Sequence, residues 1–205
     1  MTRAEIESEL LSLRNRIAEL EAQLHTAPYA EPPPPFYWPY NILAGFSLGI
    51  FGAATSLLFN IVGSLLTGKH PLELIRVYLT FPMGADALKD GSSSLMLAIG
   101  CCLYLATGMV LGIPFHLVLR RMPASSTFQK KFIVVSALAV ALWLVNFYGI
   151  LSWLQPALFG GRWIVDLVPW WVGLLTHLVF GWTMLLVQPL GIYEPYVAPS
   201  PSEAA

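Results

Sequence analysis

Charge is scarce in this sequence. Asp, Glu, Lys and Arg make up 11% of its 205 residues, against about 25% in ordinary soluble domains. They are missing altogether from 41–68, 91–119, 132–161 and 167–193. Each of these runs exceeds the roughly 20 residues that cross a hydrocarbon core about 30 Å thick at 1.5 Å of helix rise per residue. A soluble core does not need four such runs, and in lipid each can satisfy its own backbone only as a helix. Cysteine is nearly absent too. The two present, Cys101 and Cys102, are adjacent and point to different faces of one helix, which argues against a structural disulfide. No complete catalytic, metal or cofactor motif is present, so no enzyme activity and no nucleic-acid partner are expected. The first 25 residues are charged rather than a short basic segment before an apolar one, so no cleavable signal peptide is predicted.

What is present predicts an all-α fold: a four-helix transmembrane bundle with an amino-terminal cytoplasmic coiled-coil helix and a short external interfacial helix. The expected domains are a coiled-coil helix at 1–25, a Pro-rich aromatic linker at 26–40, a four-span domain at 41–193 and a flexible tail at 194–205. The net charge of −1 hides an uneven distribution. Arg120, Arg121, Lys130 and Lys131 surround the connection between the second and third spans without an acid, and short basic loops stay on the cytoplasmic side. With four spans, both termini are then cytoplasmic, and a bacterial inner-membrane location is expected.

In the amino-terminal segment, Ile6, Leu10, Leu13, Ile17, Leu20 and Leu24 recur in alternating steps of four and three, which keeps one apolar seam against a partner helix. Glu9 and Arg16 then fall at g, and Arg14 and Glu21 at e. In a parallel pair Glu9 faces Arg14 and Arg16 faces Glu21, so a homo-oligomer through a parallel coiled coil is expected. Thr2 and Glu5 suit a capping box at the helix start. The prolines between residues 28 and 39 form a semi-rigid spacer. Phe36, Tyr37, Trp38 and Tyr40 follow as an anchor at the headgroup layer of the lipid bilayer.

Inside the membrane, small residues recur at helical spacing: Gly45, Gly49 and Ala53 in the first span, Gly108 and Gly112 in the second, Gly173 and Gly181 in the fourth. Such faces let backbones approach closely. His177 stands out, because an ionisable group near the centre of a span is costly and turns to a polar partner. Depth counting places Asn146, Tyr104, Thr107, Thr55 and Ser56 near its level, as a polar midplane layer. His177 could be an axial haem b ligand, a proton-transfer group, a quinone contact, or a neutral histidine hydrogen-bonded to Asn146 or Tyr104; the last is the expectation. His116 lies too near the cytoplasmic end to share one iron with His177.

The loop between the first two spans predicts a surface helix after His70-Pro71, with Leu72, Ile75 and Leu79 as its apolar stripe and Pro82 and Gly84 ending it. Trp153, Trp163, Trp170 and Trp171 suggest an interfacial aromatic girdle.

The stretches GKHPLELIRVYLTFPMG at 68–84, LYLATGMVLGIPF at 103–115 and HLVFG at 177–181 resemble a group of uncharacterised small bacterial membrane proteins associated with respiratory-chain genes, including those of haem-copper oxidases. The resemblance covers the spans and implies an accessory or assembly subunit of a larger membrane complex. The rivals are a haem- or quinone-binding redox subunit using His177, and a homo-oligomeric channel or transporter. The last ranks behind because no span carries a charged residue at its centre and no inverted repeat is evident.

Overall fold

The computed structural model describes residues 3–26, 36–89 and 93–192, and these contain helices and turns with no strand. The chain divides into two units, Met1–Phe36 and Tyr37–Ala205. Among the described residues, the first contains α1 (Arg3–Thr26). Its residues Ile6, Leu10, Leu13, Ile17 and Leu20 all stand exposed. Arg16 pairs within the helix with Glu19 at 2.8 Å. The side chain of Leu24, the capping residue Thr2, the proline run and the tail lie outside the described residues or side chains.

The second unit is an all-α bundle with four helices long and apolar enough to cross a membrane: Trp38–Leu66, Ser94–Arg121, Phe128–Phe159 and Trp170–Gly191. The first is α2 (Trp38–Leu66), opened by Pro39 in its first turn, where a missing N–H costs nothing. A short helix, α3 (Glu73–Met83), lies in the following connection and passes into a single-turn segment, Gly84–Leu88. The second span, α4 (Ser94–Arg121), starts where Ser93 Oγ accepts from Met96 N at 3.2 Å. The third begins as α5 (Phe128–Leu144), where Thr127 Oγ1 accepts from Lys130 N. It widens into a π-helical turn at Val145–Leu151 and continues as α6 (Ser152–Phe159). After the short α7 (Trp163–Leu167) comes the last span, α8 (Trp170–Val187), extended by a tight turn at Gln188–Gly191.

The spans pack antiparallel in sequence, first on second, first on fourth and third on fourth. The small-residue faces of the first two meet directly. A Cβ on Gly49 would stand 2.7 Å from Met109 Cα, and one on Gly112 would stand 2.6 Å from Gly49 Cα; Ala53 fills the space over Gly108. Lipid supplies no hydrophobic drive between helices, so this backbone-on-backbone approach provides the dispersion contact that holds them. At the end where α2 begins and α4 finishes, Arg120 Nε donates to Asn41 Oδ1 at 3.2 Å and Arg121 lies 4.3 Å over the Trp38 ring. On α8, Gly181 receives Phe115 and Val135, and Gly173 receives the Phe147 ring.

The α3 helix differs from its sequence expectation in how much of it is covered. One face, Ile75 and Leu79, packs on Gly100, Leu57 and Met96. The opposite side, Val77 with Leu74 and Phe81, joins Trp143, Phe147, Ile164 and Val168. A helix apolar on two faces needs cover on both, and the Leu72, Ile75, Leu79 stripe described only one of them. Tyr78 reaches Thr107 on α4, about 20 Å along that helix from Ser94 at 1.5 Å per residue. The connection therefore dips into the bundle. It is fastened there by Gln155, fully buried on α6, which donates through Nε2 to Thr80 Oγ1 at 3.0 Å and accepts from Ile164 N at 3.1 Å. Of the tryptophans expected at the interface, Trp153, Trp170 and Trp171 are exposed, whereas Trp163 folds onto Gly84 and Gly161.

Candidate functional site: a polar-lined cavity inside the bundle

A cavity of about 320 Å³ opens among all four spans and α3. Its walls are mostly apolar, with Ala53 and Ser56 from α2, Tyr78 and Phe81 from α3, Tyr104, Thr107 and Leu111 from α4, Asn146 and Phe147 from the π-helical turn, and Thr176, His177 and Phe180 from α8. No Asp, Glu, Lys or Arg is among the residues lining it.

The polar groups occur as local pairs rather than as one layer. Asn146 Nδ2 lies 3.3 Å from His177 Nε2. Tyr104 Oη meets Ser56 Oγ at 2.9 Å, and Tyr78 Oη meets Thr107 Oγ1 at 2.5 Å. Asn60 Nδ2 donates to Thr176 Oγ1 at 2.9 Å. Tyr104 therefore partners Ser56 and not His177, and Thr55, expected at the same level, is exposed on the outside of α2. Depth counting cannot see this, because it ignores which way a helix is rotated. Tyr78 was missed for a related reason: a residue in a connection was not expected inside the bundle.

The histidine's protonation follows from its neighbours. Nδ1 lies 2.8 Å from Gly173 O, a carbonyl that can only accept, so Nδ1 carries the hydrogen. In the neutral ring Nε2 is then the acceptor, and Asn146 turns its amide N–H to it. The Phe147 ring meets the imidazole edge to face at 6.1 Å. Asn146 sits where it does because Val145–Leu151 is π-helical, a local widening that often accompanies a functional site. Carbonyls of this turn are capped by side chains: Ser152 Oγ donates to Tyr148 O and Trp153 Nε1 to Gly149 O.

A haem would have to displace contacts that these residues already make. Among the described residues lining the cavity there is one imidazole and no methionine, cysteine or second histidine. The Nε2 that would face an iron faces Asn146, and the room over Gly173 and Gly181 is taken by Phe147, Phe115 and Val135. His116 is buried elsewhere, against Gly45 and Gly191. Cys101 and Cys102 are free thiols.

His177→Ala should lower stability by about 1 kcal/mol, the low end for an orphaned amide, because Asn146 is only partly buried. His177→Gln can still accept from Asn146 and should retain most of that stability. Thermal unfolding of the purified variants measures both, and an Ala variant as stable as the wild type would show that the pair contributes nothing.

Compared with known proteins, the chain matches no family model, no curated protein and no solved structure.

Proposed function

We propose that this membrane protein is a non-enzymatic accessory or assembly subunit of a larger complex in a bacterial inner membrane, with both termini cytoplasmic, and that it self-associates through α1. The observation that carries the reading is the exposed apolar row of α1. Ile6, Leu10, Leu13, Ile17 and Leu20 are 45 to 55% exposed in the single chain. Burying such a seam against a second copy removes apolar surface from water at roughly 25 cal/mol per Å². The e and g charges, Glu9 with Arg14 and Arg16 with Glu21, suit a parallel pairing; Arg16 would then exchange its local partner Glu19 for a residue on the neighbour. The resemblance of the spans to respiratory-associated membrane proteins supports a place beside a respiratory complex.

The test uses the whole chain in detergent. Light scattering should give an oligomer for the wild type and a monomer when Leu13 and Ile17 are both replaced by Asp, since charges in the seam cost more than the pairing returns. A wild-type protein that stays monomeric at high concentration would end the self-association reading.

A further inference from the structure

The cavity between the spans has features that packing alone does not call for. Its lining carries no charge, so an ion or an anionic metabolite finds no counter-charge there. It lies among the four spans together with α3 and α7, so a ligand that reaches it from lipid must be neutral and lipid-soluble. Aromatic rings form much of its wall, Tyr78, Tyr104, Phe147 and Phe180 among them, which suits a flat ring. Polar pairs stand on different elements: Tyr78 with Thr107 on α3 and α4, and Asn146 with His177 on the third and fourth spans. The volume of about 320 Å³ falls in the range of small-molecule sites, near its lower end.

Asn146 decides the ligand's chemistry. One of its two amide hydrogens goes to His177 Nε2, which leaves the second hydrogen and the carbonyl oxygen for a guest. The π-helical turn that holds this side chain at the cavity is an irregularity in a span that could otherwise run as a plain α-helix. A guest carrying a carbonyl oxygen would accept from the spare Asn146 N–H; the hydroxyl hydrogens of Tyr78 and Thr107 are already taken up by one another and by Leu103 O, so that pair serves as wall and not as donor. We infer that the cavity binds the head ring of a lipid-soluble quinone, held by the Asn146 amide as hydrogen-bond donor and oriented by the His177 imidazole behind it. The inference concerns binding alone and is independent of whether α1 self-associates.

The experiment uses the full chain in phosphatidylcholine nanodiscs, with decylubiquinone as probe and tryptophan fluorescence quenching as readout, corrected with empty discs. Saturable binding is expected. Decylbenzene, with the same chain on a six-membered carbon ring that bears no oxygen, should fail to compete. Asn146→Leu should weaken binding about tenfold, the size of one lost hydrogen bond in an apolar site. Leu111→Phe, which narrows the cavity and leaves its polar residues unchanged, should weaken binding, and it provides a second route should Asn146→Leu not fold. Thermal unfolding checks that each variant is folded. Quenching no greater than in empty discs would overturn the inference. So would effective competition by decylbenzene, which would mark the cavity as a space for acyl chains, or binding unchanged in both variants.

Discussion

Gly112→Leu should prevent the first two spans from closing on one another and reduce stability by more than about 3 kcal/mol. A side chain added there would meet the carbonyl of Gly45 and the Cα of Gly49, both backbone atoms that cannot rotate aside. Overpacking a core costs roughly 1 to 3 kcal/mol when neighbouring side chains can adjust. Here the adjustment must be made by the helices, which lose the close approach that holds them in lipid. Gly49→Leu meets Met109 Cα in the same way and should behave alike. Gly63 provides the contrast, since nothing stands within 4 Å of the place its Cβ would occupy. Gly63→Leu should be neutral or mildly stabilising, by up to about 1 kcal/mol of helix propensity. Folded yield and thermal midpoint in detergent distinguish the three. A Gly112→Leu protein as stable as Gly63→Leu would mean that the first two spans are not held by their glycine faces.

Gln155→Leu should cost about 1 to 3 kcal/mol although leucine is close to glutamine in size. The amide is fully buried and joins three elements, donating to Thr80 on α3 and accepting from the backbone of Ile164 on α7. Leucine leaves the buried Ile164 N–H without its partner, while Thr80 Oγ1 loses an incoming bond but still donates to Val77 O, and an orphaned buried group costs roughly 1 to 3 kcal/mol. The loss should fall unevenly. Hydrogen exchange in α3 and α7 should rise more than in the paired first and second spans, because Gln155 fastens the former and not the latter. Arg162→Gln breaks an exposed pair with Asp166 at 3.1 Å and should change stability by no more than about 1 kcal/mol. Uniform exchange across the bundle in Gln155→Leu would show that α3 is not a separately fastened element.

The parts of this fold that were legible in the sequence are those that follow from periodicity and from missing charge. Four charge-free runs became four spans. Gly45, Gly49, Gly108 and Gly112 could be recognised as contact faces, but their pairing with one another depends on which helices are neighbours. Depth counting set Asn146 and His177 at one level, and they stand 3.3 Å apart. The same count brought Tyr104 and Thr55 to that level and could not say that one turns to Ser56 and the other outward. The π-helical turn left no composition signal, because Val145–Leu151 reads as ordinary span sequence. The depth of α3 was partly legible. Leu74, Val77 and Phe81, opposite Ile75 and Leu79, make that helix apolar on more than one side.

The most direct test of the accessory-subunit account is gentle solubilisation of native membranes followed by affinity purification of the full chain and quantitative mass spectrometry of what accompanies it. The account predicts that the protein travels in a larger assembly, at fixed stoichiometry with other integral membrane subunits. Replacing Leu13 and Ile17 by Asp should lower its own copy number in that assembly. Recovery of the chain alone, or with companions whose proportions vary from one preparation to the next, would contradict it.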